Sequence, residues 1–337
     1  MDPIVALIVG FGLLVLGGEL LVRGAVKAAQ SFGVSPLMIG IVLVGFGTSA
    51  PEMAISIYAA MQDSPGIAIG NFVGSSIANI FLILGISAII MPVQVTPKAL
   101  SRDGLVVLAS ALLFTIISLI YSLDRIVGFL FLTWLVAYMA YAWRDERVAT
   151  QDTADDAQSH APTHDTAQQG KDESDLVAKM RKGMPGGIAL MMALVGLAIL
   201  IFGGQILVDG AVDLARRYNV SEEVIGLTIV AVGTSMPELV TSLVAALRGQ
   251  SAVAVGNILG SNIYNVLGVG GITGILVPTA VPEQIANFDN FVMLVASIAL
   301  MAFAWSKMRI SRLEGAIMLS AYVLYLWSLL PQNALAA

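Results

Sequence analysis

The 337-residue chain has no cysteine and only two histidines, His160 and His164. The lack of cysteine excludes a disulfide framework, a thiolate metal site and a cysteine nucleophile. Both histidines fall in one polar stretch, which argues against a zinc or haem centre in the hydrophobic part. Charge is scarce as well: 12% of residues are charged, where a soluble domain carries about 25%, and 57% are hydrophobic. Such a composition reads as a polytopic membrane protein. The net charge of −6 says little about partners, because nine of the 23 acidic residues lie between Arg144 and Pro185. No phosphate-binding loop, nucleophile with a base, or redox ligand set is visible. Neither an enzyme, a cofactor nor a nucleic-acid partner is therefore expected.

What remains is a series of apolar runs. A membrane span needs about 20 largely apolar residues, and ten segments qualify: 4–26, 36–61, 67–91, 100–120, 126–143, 186–208, 222–247, 252–276, 288–306 and 312–330. The opening Met-Asp-Pro lacks a basic n-region and the run Ile4 to Val22 is longer than a signal-peptide core, so the first segment reads as a retained span. Residues 144–185 break the pattern with a polar, acidic stretch that cannot bury enough surface to order itself. It reads as a linker, and its acids do not follow the order of an EF-hand loop. The expected organisation is a five-helix unit over 1–143, the linker, and a second five-helix unit over 186–337. With both termini outside, 14 lysines and arginines fall on the inner side and only Arg125, Arg216 and Arg217 on the outer. The positive-inside rule then makes the linker cytoplasmic in a cell-membrane protein.

The two units repeat. GFGTSAPEMAIS…GNFVGSSIANIF from Gly45 recurs as AVGTSMPELVTS…GNILGSNIYNVL from Ala231, at an offset of 186 residues without a gap. Five spans per unit is an odd number, so the fold class expected is an all-α membrane protein of ten helices in two inverted repeats, with a site near the midplane where they meet. Each copy sets one carboxylate, Glu52 or Glu238, in an apolar sequence, at a cost on the order of 3 kcal/mol on insertion scales. Pro51 and Pro237 free the carbonyls of Gly47 and Gly233. Thr48 and Ser49 share a helix face with Glu52, as Thr234 and Ser235 do with Glu238; Ser75 pairs with Asn79, and Ser261 with Asn265. Two carboxylates, two amides, six hydroxyls and loosened carbonyls are hard oxygen ligands, suited to calcium in flexible geometry and to sodium. The alternative for the carboxylates is a protonated bridge between helices, and for the hydroxyls and amides ordinary interhelical bonding. Gly70 and Gly74, like Gly256 and Gly260, have the small-xxx-small spacing of closely approaching helices. Asn71 and Asn257 match across the copies and are expected to cap or brace the start of the third and eighth spans. Asp103 and Asp289 also match, and read as helix N-terminal charges. Glu19 and Arg23 have Gln205 and Asp209 as mates, and read as interfacial or helix-end residues.

With these motifs, GTSAPE and GTSMPE followed by GNFVGSSIAN and GNILGSNIYN, the chain resembles the calcium/cation antiporter superfamily, and within it short prokaryotic sodium/calcium exchangers. The resemblance implies antiport, calcium leaving the cytoplasm as sodium enters. It further implies that Glu52 and Glu238 bind the central calcium, that Thr48, Ser49, Ser75, Thr234, Ser235 and Ser261 with the carbonyls of Gly45 and Ala231 complete the cation sites, and that Asn79 and Asn265 close a diamond around them. It also implies that the first and sixth helices slide past the core. Asn265 departs from many microbial relatives and from the potassium-dependent branch, which carry aspartate there; this weakens potassium co-transport and proton coupling through that position. The substrates expected are Ca²⁺ and Na⁺ within a lipid bilayer. Calcium/proton exchange at the same glutamates, and a passive cation channel, remain as rival readings.

Overall fold

Helix boundaries follow from end chemistry the sequence carries. In the computed structural model, which describes residues 1–62, 65–159, 184–218 and 231–329, helix α1 (Pro3–Phe32) starts where Asp2 Oδ1 accepts from Ile4 N at 3.0 Å, with proline in the first turn, and stops at Gly33, whose φ of 66° is the left-handed cap that glycine tolerates. Ser35 starts the next segment in the same way, its Oγ accepting from Met38 N at 3.1 Å ahead of Pro36. This segment is a broken span: α2 (Pro36–Thr48) and α3 (Ala50–Met61) meet at 43°. The break falls at Ser49, two residues before Pro51, where the proline ring cannot fit a continuous helix.

The remaining helices are α4 (Gly66–Ile90), α5 (Ala99–Ile120), α6 (Arg125–Ser159), α7 (Gly186–Arg217), α8 (Met236–Leu247), α9 (Ser251–Leu276), α10 (Ile285–Lys307) and α11 (Arg312–Leu329). Among the described residues, seven helices are long and apolar enough to cross a membrane, eight with the broken pair. Helices α8 and α11 occupy the places of the two other expected spans; residues 222–230 of the expected 222–247 span lie outside the described residues, as do residues 160–183 of the expected linker. Helix α6 continues to Ser159, past the expected boundary at 143. It starts at Asp124, which accepts from Val127 N at 2.9 Å; that bond holds the Asp124 carboxyl below the ordinary carboxylate range.

The inversion of the repeats is visible in one contact. Gly10, Gly17 and Gly24 of α1 lie against Leu207, Leu200 and Ala193 of α7, so the two helices run antiparallel. Yet α1 and α7 are sequence mates at the 186 offset, with Gly196, Gly203 and Gly210 matching the three glycines of α1. The packing is backbone to backbone: a Cβ on Gly17 would stand 2.5 Å from Leu200 N, and one on Gly24 2.5 Å from Ala193 N. The same symmetry recurs at the helix ends, where Val93 and Gln94 pair antiparallel with Ile310 and Arg309, and Leu123 with Thr279. The chain is a multi-pass, all-α membrane protein of two inverted repeats.

The central core is formed by α4, α5, α6, α9, α10 and α11 with Leu37, Met38 and Ile41 of α2, and holds Phe72, Phe114 and Phe131 stacked edge to face at 5.2 and 6.3 Å. No residue of α1 or α7 belongs to it; those helices pack instead on a second apolar cluster with α2, α8 and the start of α9. Asp103 is not simply a helix-end charge. It is buried, bonded by Arg102 at 2.6 and 3.1 Å and by Tyr138 Oη at 2.8 Å, while its mate Asp289 has Tyr325 Oη at 3.0 Å. Dipole-end reasoning missed both tyrosines because Tyr138 and Tyr325 come from α6 and α11, far along the chain.

Candidate functional site

Two features of the backbone place polar groups at the centre of the helix bundle. The first is the break: Ser49 has φ −81° and ψ 0°, and its mate Ser235 φ −90° and ψ 8°, so each copy turns at the residue three before its glutamate. The second is a π-helical turn in the following span, Ala78–Leu84 in α4 and Tyr264–Val269 in α9, which carries Asn79 and Asn265. Such turns cluster at functional sites because the extra residue re-aims side chains. Each π turn packs on the broken helix of the other half, Ala78–Leu84 on α8 and Tyr264–Val269 on α3. Thus Asn79 is carried to the Glu238 helix and Asn265 to the Glu52 helix.

The predicted ligands converge on this crossing. Thr48, Ser49, Glu52, Ser75, Asn79, Ser235, Glu238, Ser261 and Asn265 are all buried. Ser49 Oγ donates to Glu238 Oε1 at 3.4 Å, Ser261 Oγ to the Gly45 carbonyl at 3.4 Å, and Thr48 Oγ1 to Asn257 Oδ1 at 3.0 Å, all between halves. Glu238 and Ser235 are the groups of the second half that face Glu52. Ala231 opens the short helical turn Ala231–Thr234 that leads into the second break. Helices α2 and α9 can meet this closely because a Cβ on Gly256 would stand 2.5 Å from the Leu37 carbonyl, and one on Gly260 3.0 Å from Ile41 Cα. The equivalent approach at Gly70 and Gly74 is not seen among the described residues: the first meets only Ile285 Cδ1, at 3.7 Å, and the second nothing within 4 Å.

Several of these atoms lack hydrogen-bond partners among the described residues: both carboxylate oxygens of Glu52, Oε2 of Glu238, Oδ1 of Asn79, Oγ of Ser235, and both amide atoms of Asn265. An unsatisfied buried polar group costs about 1–3 kcal/mol, and a charged one more. Apart from the Asn265 amide nitrogen, which is a donor, these atoms are oxygens, and together they offer acceptors that suit a dehydrated hard cation.

Asn71 and Asn257 do more than cap a span start. Asn257 Nδ2 donates to the Glu238 carbonyl at 3.3 Å and to Ser242 Oγ at 2.9 Å; Asn71 Nδ2 repeats this with the Glu52 carbonyl at 3.0 Å and Ser56 Oγ at 2.9 Å. Each asparagine ties the glutamate-bearing helix to the span that follows it. Ser56 and Ser242 were missed in the sequence, although they match at the same 186 offset. Asn257→Ala should destabilise the protein by about 1–3 kcal/mol, because it removes the partners of the Glu238 carbonyl, Ser242 Oγ and Thr48 Oγ1. Thermal unfolding in detergent reads this directly.

The two halves of the site are not equally closed. Thr48 and Ser49 are tied across to the second half, and a cavity of about 390 Å³ lies on the other side, lined by Thr234, Pro51, Ala54, Gln205 and Asp209. At the wall of that cavity Gly204 has only loose neighbours, Leu14 Cδ2 at 3.7 Å and Pro237 Cγ at 3.7 Å. Its mate Gly18 is packed tightly, with Val240 Cγ1 at 3.1 Å from a Cβ position. Among the described residues, then, the side beside α7 opens into a cavity and the side beside α1 is packed closed at Gly18.

Comparison with known proteins agrees with this geometry. A family model described as sodium/calcium exchanger protein matches residues 3–144 and 188–330. The putative antiporter CaxA of Alkalimonas amylolytica is 35% identical over 323 residues, covering 94% of this chain and 95% of its own. The sodium/calcium exchanger MaX1 of Methanosarcina acetivorans is 32% identical over 345 residues, covering 95% and 96%. A solved structure of the sodium-calcium exchanger NCX_Mj, soaked with 2.5 mM Na⁺ and 0.1 mM Ca²⁺, superposes with a TM-score of 0.80 at 29% identity, covering 98% of this chain and 100% of that one.

Proposed function

The chain belongs to the sodium/calcium exchanger protein family, a cation exchange transporter, and on that premise we propose that it exchanges Ca²⁺ for Na⁺ by alternating access at one site centred on Glu52 and Glu238. The observation that supports this reading is the set of buried oxygens on the two glutamates and Asn265 that have no hydrogen-bond partner among the described residues, with Glu52 facing Glu238 of the other half. Thr48, Ser49, Ser75, Asn79, Thr234, Ser235, Ser261 and Asn265 supply further oxygens, with the carbonyls of Gly45 and Ala231. Calcium takes six to eight such ligands in flexible geometry, and sodium uses the same ones.

Two ionised glutamates balance one Ca²⁺, whereas three Na⁺ leave one positive charge in excess. Exchange at that ratio moves net charge. A sodium concentration jump on proteoliposomes fused to a supported membrane should produce a calcium-dependent transient current; equal transport rates with no current at any applied potential would contradict it. The charge bias of the loops supports external termini, with the cavity beside Gln205 and Asp209 facing outward and calcium leaving the cell. The rival, proton-coupled exchange, is tested in sodium-free vesicles. Calcium uptake driven there by a pH gradient alone would transfer the function to protons.

A further inference from the structure

The ion site does not use Glu19, Arg23 or Arg248, yet these residues join α1 to the end of α8 through a cluster of charges. Arg248 stands just past the end of α8, one residue before the left-handed turn at Gly249. Its Nη2 lies 2.5 Å from Glu19 Oε1 and its Nε donates to Glu19 Oε2 at 3.0 Å, a two-pronged pair between α8 and α1. Arg23, one turn further along α1, pairs with the same carboxylate. The contact sits on the closed side, next to Gly18 packed on Val240.

Inverted repeats give this contact a mirror position. At the 186 offset Glu19 becomes Gln205, Arg248 becomes Gln62 and Arg23 becomes Asp209, so the matching place on the other side carries two amides and one carboxylate but neither arginine. Gln205 lines the open cavity. Helices α1 and α7 are joined backbone to backbone along three glycine contacts and contribute no residue to the central core, an arrangement that fits the sliding of this pair past the core implied by the resemblance to the exchangers. Closing the cavity beside α7 requires α7 to approach α3 and α1 to leave α8, in the two-fold image of the present state. That movement parts Glu19 from Arg248. It brings together Gln62 and Gln205, which offer no charge pair in return.

We propose that the Glu19–Arg248 ion pair is a one-sided latch that holds the α1–α7 pair in the state open beside Gln205, so that the resting access equilibrium of this exchanger is biased by charge toward that side. Glu19 and Arg248 are positioning residues; neither touches the ion site. The inference rests on the alternating-access reading, but its test needs no transported ion.

The chain has no cysteine, so a single introduced one is a clean reporter. Ile201→Cys lines the open cavity and Val240→Cys the closed contact. In lipid nanodiscs, free of calcium and sodium, Glu19→Gln or Arg248→Gln should speed maleimide labelling at position 240 about threefold and slow it slightly at 201, whose state is already the favoured one, on the scale of a well-formed, partly exposed ion pair. The charge exchange Glu19→Arg with Arg248→Glu should restore both rates. Installing the missing latch, Gln62→Arg with Gln205→Glu, should shift labelling in the same direction as breaking the existing one, and it leaves Glu19 and Arg248 intact should their variants fold poorly. Unchanged labelling at both positions in the single variants and in the installed pair would overturn the latch. Labelling shifts as expected, with no sodium-driven calcium uptake by the parent protein, would leave the latch standing and overturn the sodium/calcium reading instead.

Discussion

Glu52→Gln and Glu238→Gln should each lower sodium-driven calcium uptake by about 100-fold or more, equivalent to about 3 kcal/mol of lost calcium binding. Both carboxylates are 1% exposed, and glutamine keeps the volume while removing the charge. The fold should therefore survive. Indeed, without calcium each variant should melt at or above the parent's temperature, because a buried unpaired charge has been deleted. What should vanish is the calcium-dependent rise in melting temperature, since a ligand stabilises only the state that binds it. Normal uptake and a normal calcium-dependent shift in both variants would remove the two glutamates from the site. Loss of the folded protein in both would assign them a structural role.

The second large effect is expected where helices α2 and α9 cross. Gly256→Val places methyl groups where even a Cβ would stand 2.5 Å from the Leu37 carbonyl and 3.0 Å from Gly40 Cα. Backbone cannot yield as a side chain can, so the crossing must open, at a cost of about 3 kcal/mol. Because Gly45, Thr48 and Ser261 meet a few residues further along the same crossing, uptake should be lost with stability. Gly12→Val, on a lipid-facing stretch of α1 with nothing within 4 Å, should be silent. Thermal unfolding of both variants in detergent, followed by uptake assays, separates a packing effect from general intolerance of valine. A Gly256→Val protein as stable and active as the parent would contradict the close crossing.

Much of the site was legible because duplication marks it twice. Glu52 with Glu238, the prolines, and the hydroxyl and amide positions recur at one offset, whereas the 43° break at Ser49 divides a segment, 36–61, that was expected as one span. The π-helical turns at Asn79 and Asn265 were not legible: one extra residue in a turn leaves no periodic trace in apolar helices whose every face is hydrophobic. The bracing by Asn71 and Asn257 was half read, their match being plain but their partners, 15 and 19 residues away, depending on how two helices pack. Glu19 shows the limit of using the repeat as a filter. It was set aside because its mate is Gln205, yet an exchanger that favours one side must depart from symmetry somewhere. Arg248, 229 residues along the chain, could be joined to it only in three dimensions.

The most direct test of calcium exchange at this site is radioactive calcium uptake into sodium-loaded proteoliposomes, with an outward sodium gradient set against a choline control, for the parent protein and Glu52→Gln side by side. Uptake by the parent that requires the sodium gradient and is absent in Glu52→Gln is the expected result. Uptake that is indifferent to sodium, or unchanged by Glu52→Gln, would contradict it.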